Sequence, residues 1–275
     1  MKFADLHLHT DFSDSTLSPA ELVQVAVNAD LDAIAITDHD CVEGIGPALE
    51  EARKFELEII PGIELTAEKD GKEVHILGYF IDYLDKVFLE KLEKIKAIRE
   101  KRIFDMVEKL KELGVDDIEA QDVFDLSGMG TVGRAHLASI LKKKGWVSTV
   151  SEAFRKYIGN SSPAYVGKFN MTPEQAIKTI LDVGGLPVFA HPHNPGEDNL
   201  IPEFVGYGLK GLEVYYPGYP GSIVKHYVNL AAKYGLLLTG GSDFHGDVKE
   251  GSVIGIPRVP YDLVEKLKQA KNEKR

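Results

Sequence analysis

The chain has 275 residues, of which 44% are hydrophobic and 27% charged, enough for one barrel-sized domain or for a domain that carries an insertion. Its net charge of −11 argues against binding of polyanions through a broad basic surface, although bound divalent cations would reverse the sign inside a local site. The single cysteine excludes an intrachain disulfide, and no run approaches the roughly 20 apolar residues of a membrane helix, so we expect a cytoplasmic protein that contacts no membrane.

The first predicted element is a strand from Phe3 to Leu8, and two of the chain's nine histidines lie near its end. Because side chains alternate along a strand, His7 and His9 would share a face with Asp5, opposite Ala4 and the two leucines. For one histidine alone, a hydrogen-bonded polar strand end is a more common explanation than a metal site. The pair therefore has to be judged with the rest of the chain.

Short apolar runs that end in polar residues alternate with helix-like stretches through most of the sequence. The later strand-like runs are 33–36, 57–63, 74–80, 186–190 and 236–239. Two helices are predicted to begin at Ser18 and Thr172, where each sequence fits a capping box with proline at the first helical position. This alternation predicts an α/β fold with a mostly parallel sheet, in which polar side chains at the strand ends meet.

One segment departs from the alternation. Apolar side chains recur at helical spacing from residue 85 to 113, Gly114 supplies a stop, and further helical pieces follow without a convincing strand. We therefore predict a helical insertion over residues 84–163, which contributes contacts to substrate phosphate. Residues 1–83 and 164–275 would form the barrel that carries the site.

The polar residues that follow the predicted strands are rich in imidazole and carboxylate. The set is His7, His9, Asp14, His39, Glu64, His75, His191, Asp243 and His245. Neutral imidazole and carboxylate without thiolate suit Mn²⁺, Zn²⁺ or Fe²⁺. Nine ligands are too many for one such ion, so we predict two or three divalent cations, with Mn²⁺ as the first choice.

Six motifs give the chain a resemblance to the PHP (polymerase and histidinol phosphatase) superfamily. They are D-L-H-L-H-T with S-D at Asp14, I-T-D-H-D at His39, P-G-I-E at Glu64, H-I-L-G-Y at His75, A-H-P at His191, and S-D-F-H at Asp243 and His245. The resemblance implies a distorted, TIM-like, seven-stranded β/α barrel with a di- or trinuclear metal centre that hydrolyses phosphoesters.

The resemblance also implies a distribution of ligands among the ions. One ion would take His7, His9, Glu64 and Asp243, a second would take Asp14, His39 and His245, and a third would take His75, His191 and a bridging Glu64. Asp38 is expected to lie outside the ligand set and to support it.

The predicted insertion indicates a branch of this superfamily. T-V-G-R-A-H-L-A at 131–138, followed by E-A-F-R-K-Y-I-G and S-P-A-Y-V, is similar to nucleoside 3′,5′-bisphosphate phosphatases and 5′-to-3′ RNA exonucleases. Arg134 and His136 would bind a substrate phosphate from the first turn of a helix, although Arg134 alone is more simply explained by a surface ion pair. Ser15 and Ala135 stand where the family usually has glycine and proline, and neither change removes a ligand.

The predicted function is hydrolysis of the 3′-phosphate ester of a nucleoside 3′,5′-bisphosphate, with short 5′-phosphorylated RNA as a second substrate. Bridging metals would lower the pKa of bound water toward about 7. His193 would donate a proton to the leaving group, and a supporting or exposed position is the equal alternative. No stable protein partner is expected.

Three competing functions are considered. An amidohydrolase also begins with H-x-H on a barrel strand, but the T-D-H motif and the D-x-H pair argue against it. Histidinol phosphate phosphatase shares the metal ligands, yet G-R-x-H in the insertion favours a nucleotide. A non-catalytic accessory module that binds metal would lack some of the ligands, and all nine are present.

Overall fold

The structure, a computed structural model, describes residues 1–128, 130–167, 171–193, 196, 198–249 and 251–273. Within these residues, eight strands form one sheet that curls into a nearly closed barrel. The strands are β1 (Phe3–Leu8), β2 (Ala33–Ile36), β3 (Glu58–Lys69), β4 (Lys72–Tyr79), β5 (Leu186–Phe189), β6 (Gly211–Tyr215), β7 (Leu237–Gly240) and β8 (Val259–Pro260).

The order across the sheet is β7-β6-β5-β4-β3-β2-β1-β8. Beyond β7 the chain returns beside β1, where Leu8 bridges Phe244 and the His9 N–H donates to the Phe244 carbonyl at 3.2 Å. This contact nearly closes the barrel, so the predicted α/β barrel is confirmed. The eighth strand beyond the expected seven is the two-residue β8, antiparallel to β1.

The helices surround the sheet and fill the long connection between β4 and β5. They are α1 (Pro19–Asn28), α2 (Ile45–Ala52), α3 (Lys86–Glu112), α4 (Ala120–Ser127), α5 (Arg134–Lys143), α6 (Val150–Ala153), α7 (Pro173–Asp182), α8 (Ile201–Tyr207), α9 (Gly221–Tyr234) and α10 (Asp262–Asn272). Both predicted capping boxes are present, at Ser18 and Thr172. In the described part of the chain, no helix has the length and apolar character needed to cross a bilayer.

Most of the strand pairs are parallel, as predicted, but β4 runs antiparallel to both β3 and β5. Asp70 and Gly71 form a two-residue turn between β3 and β4, with φ angles of 52° and 76°. Two positive φ angles in a two-residue loop produce a tight hairpin, and Asp-Gly is a sequence signal for one. Consequently His75 reaches the site from the first half of an antiparallel strand.

The simple alternation predicted for β1 is also wrong. Ala4 pairs with Ala33 and Leu8 pairs with Ile36, residues three apart in β2 and therefore on opposite faces. A β-bulge between Asp5 and Leu8 inserts the extra residue that shifts the phase. Residues before and after the bulge consequently do not follow one alternating pattern.

The residues between β4 and β5 have a hydrophobic cluster of their own, which includes Met106, Leu110, Leu137 and Leu141. The first half of α3 instead packs into the main barrel cluster, for example through Phe88. One long helix therefore links the two clusters. The division at 83/84 and 163/164 stays a prediction.

Candidate metal centre

Six strands and the loops after them bring the nine predicted ligands to one end of the barrel. His7 comes from β1, His9 and Asp14 from the loop after it, His39 from the loop after β2, Glu64 from β3, His75 from β4, His191 from the loop after β5, and Asp243 and His245 from the loop after β7. The predicted gathering of these side chains is therefore observed in the structure.

The fully buried carboxylate of Glu64 lies at the centre of five imidazoles. Its Oε2 is 3.2 Å from His7 Nε2, 3.3 Å from His9 Nε2 and 3.1 Å from His39 Nδ1, and its Oε1 is 2.9 Å from His75 Nδ1 and 3.2 Å from His191 Nε2. Each oxygen thus faces a separate group of imidazoles. This geometry suits a carboxylate that bridges ions.

Ligand atoms lie within 4.8 Å of one another in three groups. The groups are His7, His9, Glu64 and Asp243; His9, Asp14, His39 and His245; and His39, Glu64 and His75. The first group has the composition expected for one ion, the second adds His9, and the third has His39 where His191 was expected. His191 contacts the third group through Glu64. The assignment of ligands to individual ions stays a prediction.

Buried polar atoms that lack a hydrogen-bond partner concentrate at this cluster. Among the described residues, six such atoms belong to predicted ligands: His7 Nε2, His9 Nε2, Asp14 Oδ1, His39 Nδ1, Glu64 Oε2 and His191 Nδ1. An unsatisfied buried polar atom costs about 1–3 kcal/mol, so such a concentration needs a physical reason. Divalent cations coordinated by these atoms would supply it, and the donor set fits them.

The close carboxylates change the proton affinity of the imidazoles. Burial lowers the pKa of His75, but Glu64 and Glu73 more than offset burial and raise it to about 10. In the same way, Asp243 and Glu64 overcome burial and raise the pKa of His9 to about 9. The metal-free site therefore holds protons near neutral pH, and a cation would have to displace them.

Two carboxylates behind the cluster, the buried Glu213 and the partly exposed Glu73, escaped the sequence reasoning. Glu213 on β6 accepts a hydrogen bond from His7 Nδ1 at 2.9 Å, and its other oxygen accepts from the His191 N–H at 2.8 Å. Glu73 on β4 lies 3.3 Å from His75 Nε2. A carboxylate on the far nitrogen of an imidazole orients the ring and raises its basicity toward a metal. Glu213 is the one charged residue within the strand-like run 211–215, which was the available sequence signal.

The two carboxylate oxygens of Asp243 have different partners: Oδ1 faces the imidazoles of the cluster, and Oδ2 faces residues outside it. Its Oδ1 is 3.3 Å from His9 Nε2, whereas Oδ2 accepts a hydrogen bond from Tyr216 Oη at 2.7 Å and pairs with Lys249 Nζ. These two outer partners, which sequence reasoning also missed, fix the carboxylate with Oδ1 toward the imidazoles.

Asp38 supports the loop after β1, in agreement with its expected position outside the ligand set. Its carboxylate accepts hydrogen bonds from the Thr10 N–H at 2.6 Å, Thr10 Oγ1 at 2.7 Å and Ser13 Oγ at 2.6 Å. The loop that places Asp14 is thereby fixed to the end of β2.

A cavity of about 530 Å³ opens above the cluster. Predicted ligands, including Glu64 and Asp243, form its floor, while Ala135, Val150 and Phe154 line the side contributed by the helices. This metal cavity falls within the range of about 300–1,000 Å³ typical of small-ligand sites.

The first turn of α5 holds Arg134 and His136, as predicted, but the two side chains are engaged differently. Arg134 pairs with Glu73 at 2.7 Å and donates to Asn160 Oδ1 at 2.8 Å. His136 accepts a hydrogen bond from the Gly133 N–H at 3.1 Å and thereby caps its own helix. The alternative of an ion pair for Arg134 is thus observed, and its partner is a carboxylate that is 14% exposed.

His193 is exposed, and its ring packs edge-on against Tyr219 with the centroids 5.3 Å apart. The residues that line the metal cavity do not include it. The neighbouring Asn194 lies outside the described residues.

Comparisons with known proteins agree with this arrangement. The model of the PHP domain family matches residues 5–157. A 5′-3′ exoribonuclease from Haemophilus influenzae is 33% identical over 246 residues, which cover 88% of this chain and 89% of that protein. A 3′,5′-nucleoside bisphosphate phosphatase from Chromobacterium violaceum is 29% identical over 256 residues, which cover 91% and 90% of the two chains.

A solved structure has the same fold. The crystal structure of a protein from Bifidobacterium adolescentis described as a metal-dependent phosphoesterase superposes with a TM-score of 0.88. The two chains are 31% identical, and the match covers 96% of this chain and 94% of the other. Barrel and helical connection are therefore both shared with that protein.

Proposed function

The chain belongs to the PHP domain family, and from that premise we propose that it hydrolyses the 3′-phosphate ester of a nucleoside 3′,5′-bisphosphate and releases nucleotides from short 5′-phosphorylated RNA. It is a metal-dependent phosphoesterase, a hydrolase that acts on phosphoric ester bonds. The names of the Haemophilus and Chromobacterium relatives support the two substrates.

The observation that carries the proposal is the position of Glu64 among five imidazoles beneath the metal cavity. Ions held by this cluster would activate a water molecule and stabilise negative charge on the phosphoryl oxygens. The surrounding carboxylates Glu213 and Glu73 would keep the rings in the orientation that holds the ions.

Both substrates require cleavage of the same bond. Water adds its hydroxyl to phosphorus, the bond between phosphorus and the 3′-oxygen breaks, and the 3′-oxygen takes up a proton. The bisphosphate yields inorganic phosphate, whereas RNA yields a 5′-nucleotide and a shortened strand. His193 is the proposed proton donor, and Phe154, which lines the metal cavity, would form an apolar wall against the nucleobase.

Arg134 and His136 are proposed to bind the 5′-phosphate of the first nucleotide. The guanidinium of Arg134 carries five N–H donors, and the hydrogen bonds to Glu73, Asn160 and the Ile158 carbonyl involve three of them. Glu73 would hold the guanidinium in place beside His75 while the other donors reach the phosphate.

Mn²⁺ is the proposed ion, with two or three bound, and Zn²⁺ or Fe²⁺ as alternatives. The imidazole and carboxylate donors without thiolate support this choice. The single cysteine and the nucleotide substrate support a cytoplasmic location.

The test measures phosphate release from 3′-phosphoadenosine 5′-phosphate after Mn²⁺ is added to metal-stripped protein. We expect Mn²⁺-dependent release, with no comparable turnover of histidinol phosphate. Arg134→Ala should raise KM for the bisphosphate by about 10- to 100-fold, because a hydrogen-bonded contact to a charged group is lost. The same substitution should change KM little for adenosine 3′-phosphate, which lacks the 5′-phosphate.

Arg155→Ala, on an exposed site in the same helical region, is the matched control. Equal losses with both nucleotides would show that Arg134 acts only through Glu73. Turnover of histidinol phosphate alone would reject the nucleotide assignment, and no release from any phosphoester would favour a non-catalytic module.

A further inference from the structure

A second cavity, of about 510 Å³, lies beside the metal cavity, and His136 in the first turn of α5 is among the residues that line it. The two cavities share Asp14, Ala135, Val150 and Val248 in their linings. Because Asp14 is a predicted ligand, the second cavity borders the metal centre itself. We call it the downstream cavity.

The lining of the downstream cavity combines cations, hydroxyls and apolar groups. Lys142 and Lys143, in the last turn of α5, contribute two adjacent positive charges to a chain whose net charge is −11. The hydroxyls of Thr16 and Ser139 and the side chain of Leu126, 47% exposed, also line it. These three kinds of group match the parts of a nucleotide: cations bind a phosphate, hydroxyls bind a ribose and an apolar side chain contacts a base.

The chemistry of RNA cleavage requires such a space. In a bisphosphate, the phosphorus under attack carries a single ester, to the 3′-oxygen of the nucleoside. In RNA, the same phosphorus also carries the 5′-oxygen of the next nucleotide, which extends away from the leaving nucleoside. A site that accepts RNA therefore needs a second compartment that borders the metal-bound phosphate.

We propose that the downstream cavity binds the nucleotide on the 3′ side of the scissile phosphate, with Lys142 and Lys143 on its next backbone phosphate. This inference rests on the proposed function and extends it to the choice of substrate. Lys142 and Lys143 lie in the last turn of α5, whereas His136 lies in its first turn, so the lysines act as specificity residues for RNA over a mononucleotide bound at His136.

Three acidic residues line the downstream cavity: Asp11 and the predicted ligand Asp14 in the loop after β1, and Asp247 in the loop after β7. They come from segments other than α5, so the phosphate is assigned to the lysine side. Carboxylates accept hydrogen bonds from hydroxyl groups, which assigns the ribose hydroxyls to Asp11 and Asp247.

The experiment compares 3′-phosphoadenosine 5′-phosphate with a 5′-phosphorylated tetra-adenylate RNA, using the full-length protein loaded with Mn²⁺. The double variant Lys142→Gln/Lys143→Gln should raise KM for the tetranucleotide about tenfold and leave KM for the bisphosphate within twofold. A plot of log kcat/KM for RNA against log salt concentration should also become less steep. Its slope should fall in magnitude by about 0.7 for each phosphate contact that is lost.

Lys144→Gln is the matched control, because Lys144 follows on the same helix end but is not among the residues that line the downstream cavity. Ser139→Trp tests the space itself, and it should block RNA cleavage while the bisphosphate is still hydrolysed. Equal losses with both substrates, or no loss with either, would overturn the assignment of the cavity. Wild-type protein that hydrolyses the bisphosphate but no RNA would overturn it too, with the phosphatase function intact. Failure with both substrates would reject the proposed function itself.

Discussion

Two imidazoles of this site each have an outer carboxylate partner, His7 with Glu213 and His75 with Glu73. Glu213 is fully buried and accepts from His7 Nδ1, while His7 Nε2 faces Glu64. Because the Glu213 carboxylate accepts a hydrogen bond at Nδ1, the proton of the neutral His7 ring is held on that nitrogen and Nε2 is left as the electron-pair donor. The basicity of the inner nitrogen toward a metal therefore depends on a residue that does not touch the metal.

Glu213→Gln should weaken Mn²⁺ binding about 10- to 100-fold, because the neutral amide no longer supports the proton on His7 Nδ1. Titration of metal-stripped protein followed by electron paramagnetic resonance of free Mn²⁺ measures the change. Glu265→Gln, an exposed position on α10, is the control and should bind Mn²⁺ as the wild type does. Wild-type affinity in Glu213→Gln would contradict the role given to the outer carboxylates.

At the scale of elements, the helical connection between β4 and β5 clamps the loops that hold the ligands. Thr131 Oγ1 donates to the His39 carbonyl at 2.6 Å, and a Cβ on Gly130 would lie 1.9 Å from the Phe12 carbonyl oxygen. From α3, Arg99 Nε donates to Asp40 Oδ2 at 2.7 Å. The T-V-G-R motif therefore also has a structural role, because it fixes the loops after β1 and β2, which carry predicted ligands.

Arg99→Met should lower the free energy of unfolding by about 3–5 kcal/mol, because Asp40 would remain buried without its ionic partner. Urea unfolding of metal-stripped protein, followed by circular dichroism, measures the loss. Lys101→Met, whose side chain is 74% exposed on the same helix, should cost less than about 0.5 kcal/mol. Equal effects of the two substitutions would exclude Arg99 as the clamp.

At the scale of the whole molecule, the predicted ligands extend from His7 to His245 and meet where the barrel closes. Ions at this position would connect β1 to the loop after β7 across the closure. Binding to the folded protein alone stabilises it, by about 2.7 kcal/mol when the free ion is at 100 times Kd.

The stabilisation by Mn²⁺ should grow with pH, because cations compete with protons on His9, whose pKa is about 9, and on His75, whose pKa is about 10. Below these values the metal-free rings are protonated, so raising the pH removes the competitor. Each displaced proton adds about 1.4 kcal/mol per pH unit at a fixed saturating concentration of the ion. Melting temperatures with Mn²⁺ and with chelator at pH 6, 7 and 8 test this, and a difference that is constant or shrinks with pH would contradict it.

The sequence by itself determined the class of fold and the chemistry of the site. Apolar runs that end in His, Asp or Glu indicate strand ends, and nine imidazole and carboxylate ligands without thiolate indicate divalent metals. The capping boxes at Ser18 and Thr172 could be read because their hydrogen bonds are local. All nine predicted ligands do meet at one end of the barrel.

Only the tertiary structure decided what depends on contacts between distant residues. The bulge in β1 leaves no mark in the composition of Phe3–Leu8, because it arises from pairing with β2. Glu213 lies 206 residues from His7 and Arg134 lies 61 residues from Glu73, so neither pair has a periodicity to reveal it. The downstream cavity likewise exists only because α5 packs against the loops after β1 and β7. Strand ends and caps follow from neighbouring residues, whereas support of the ligands and space for substrate follow from packing.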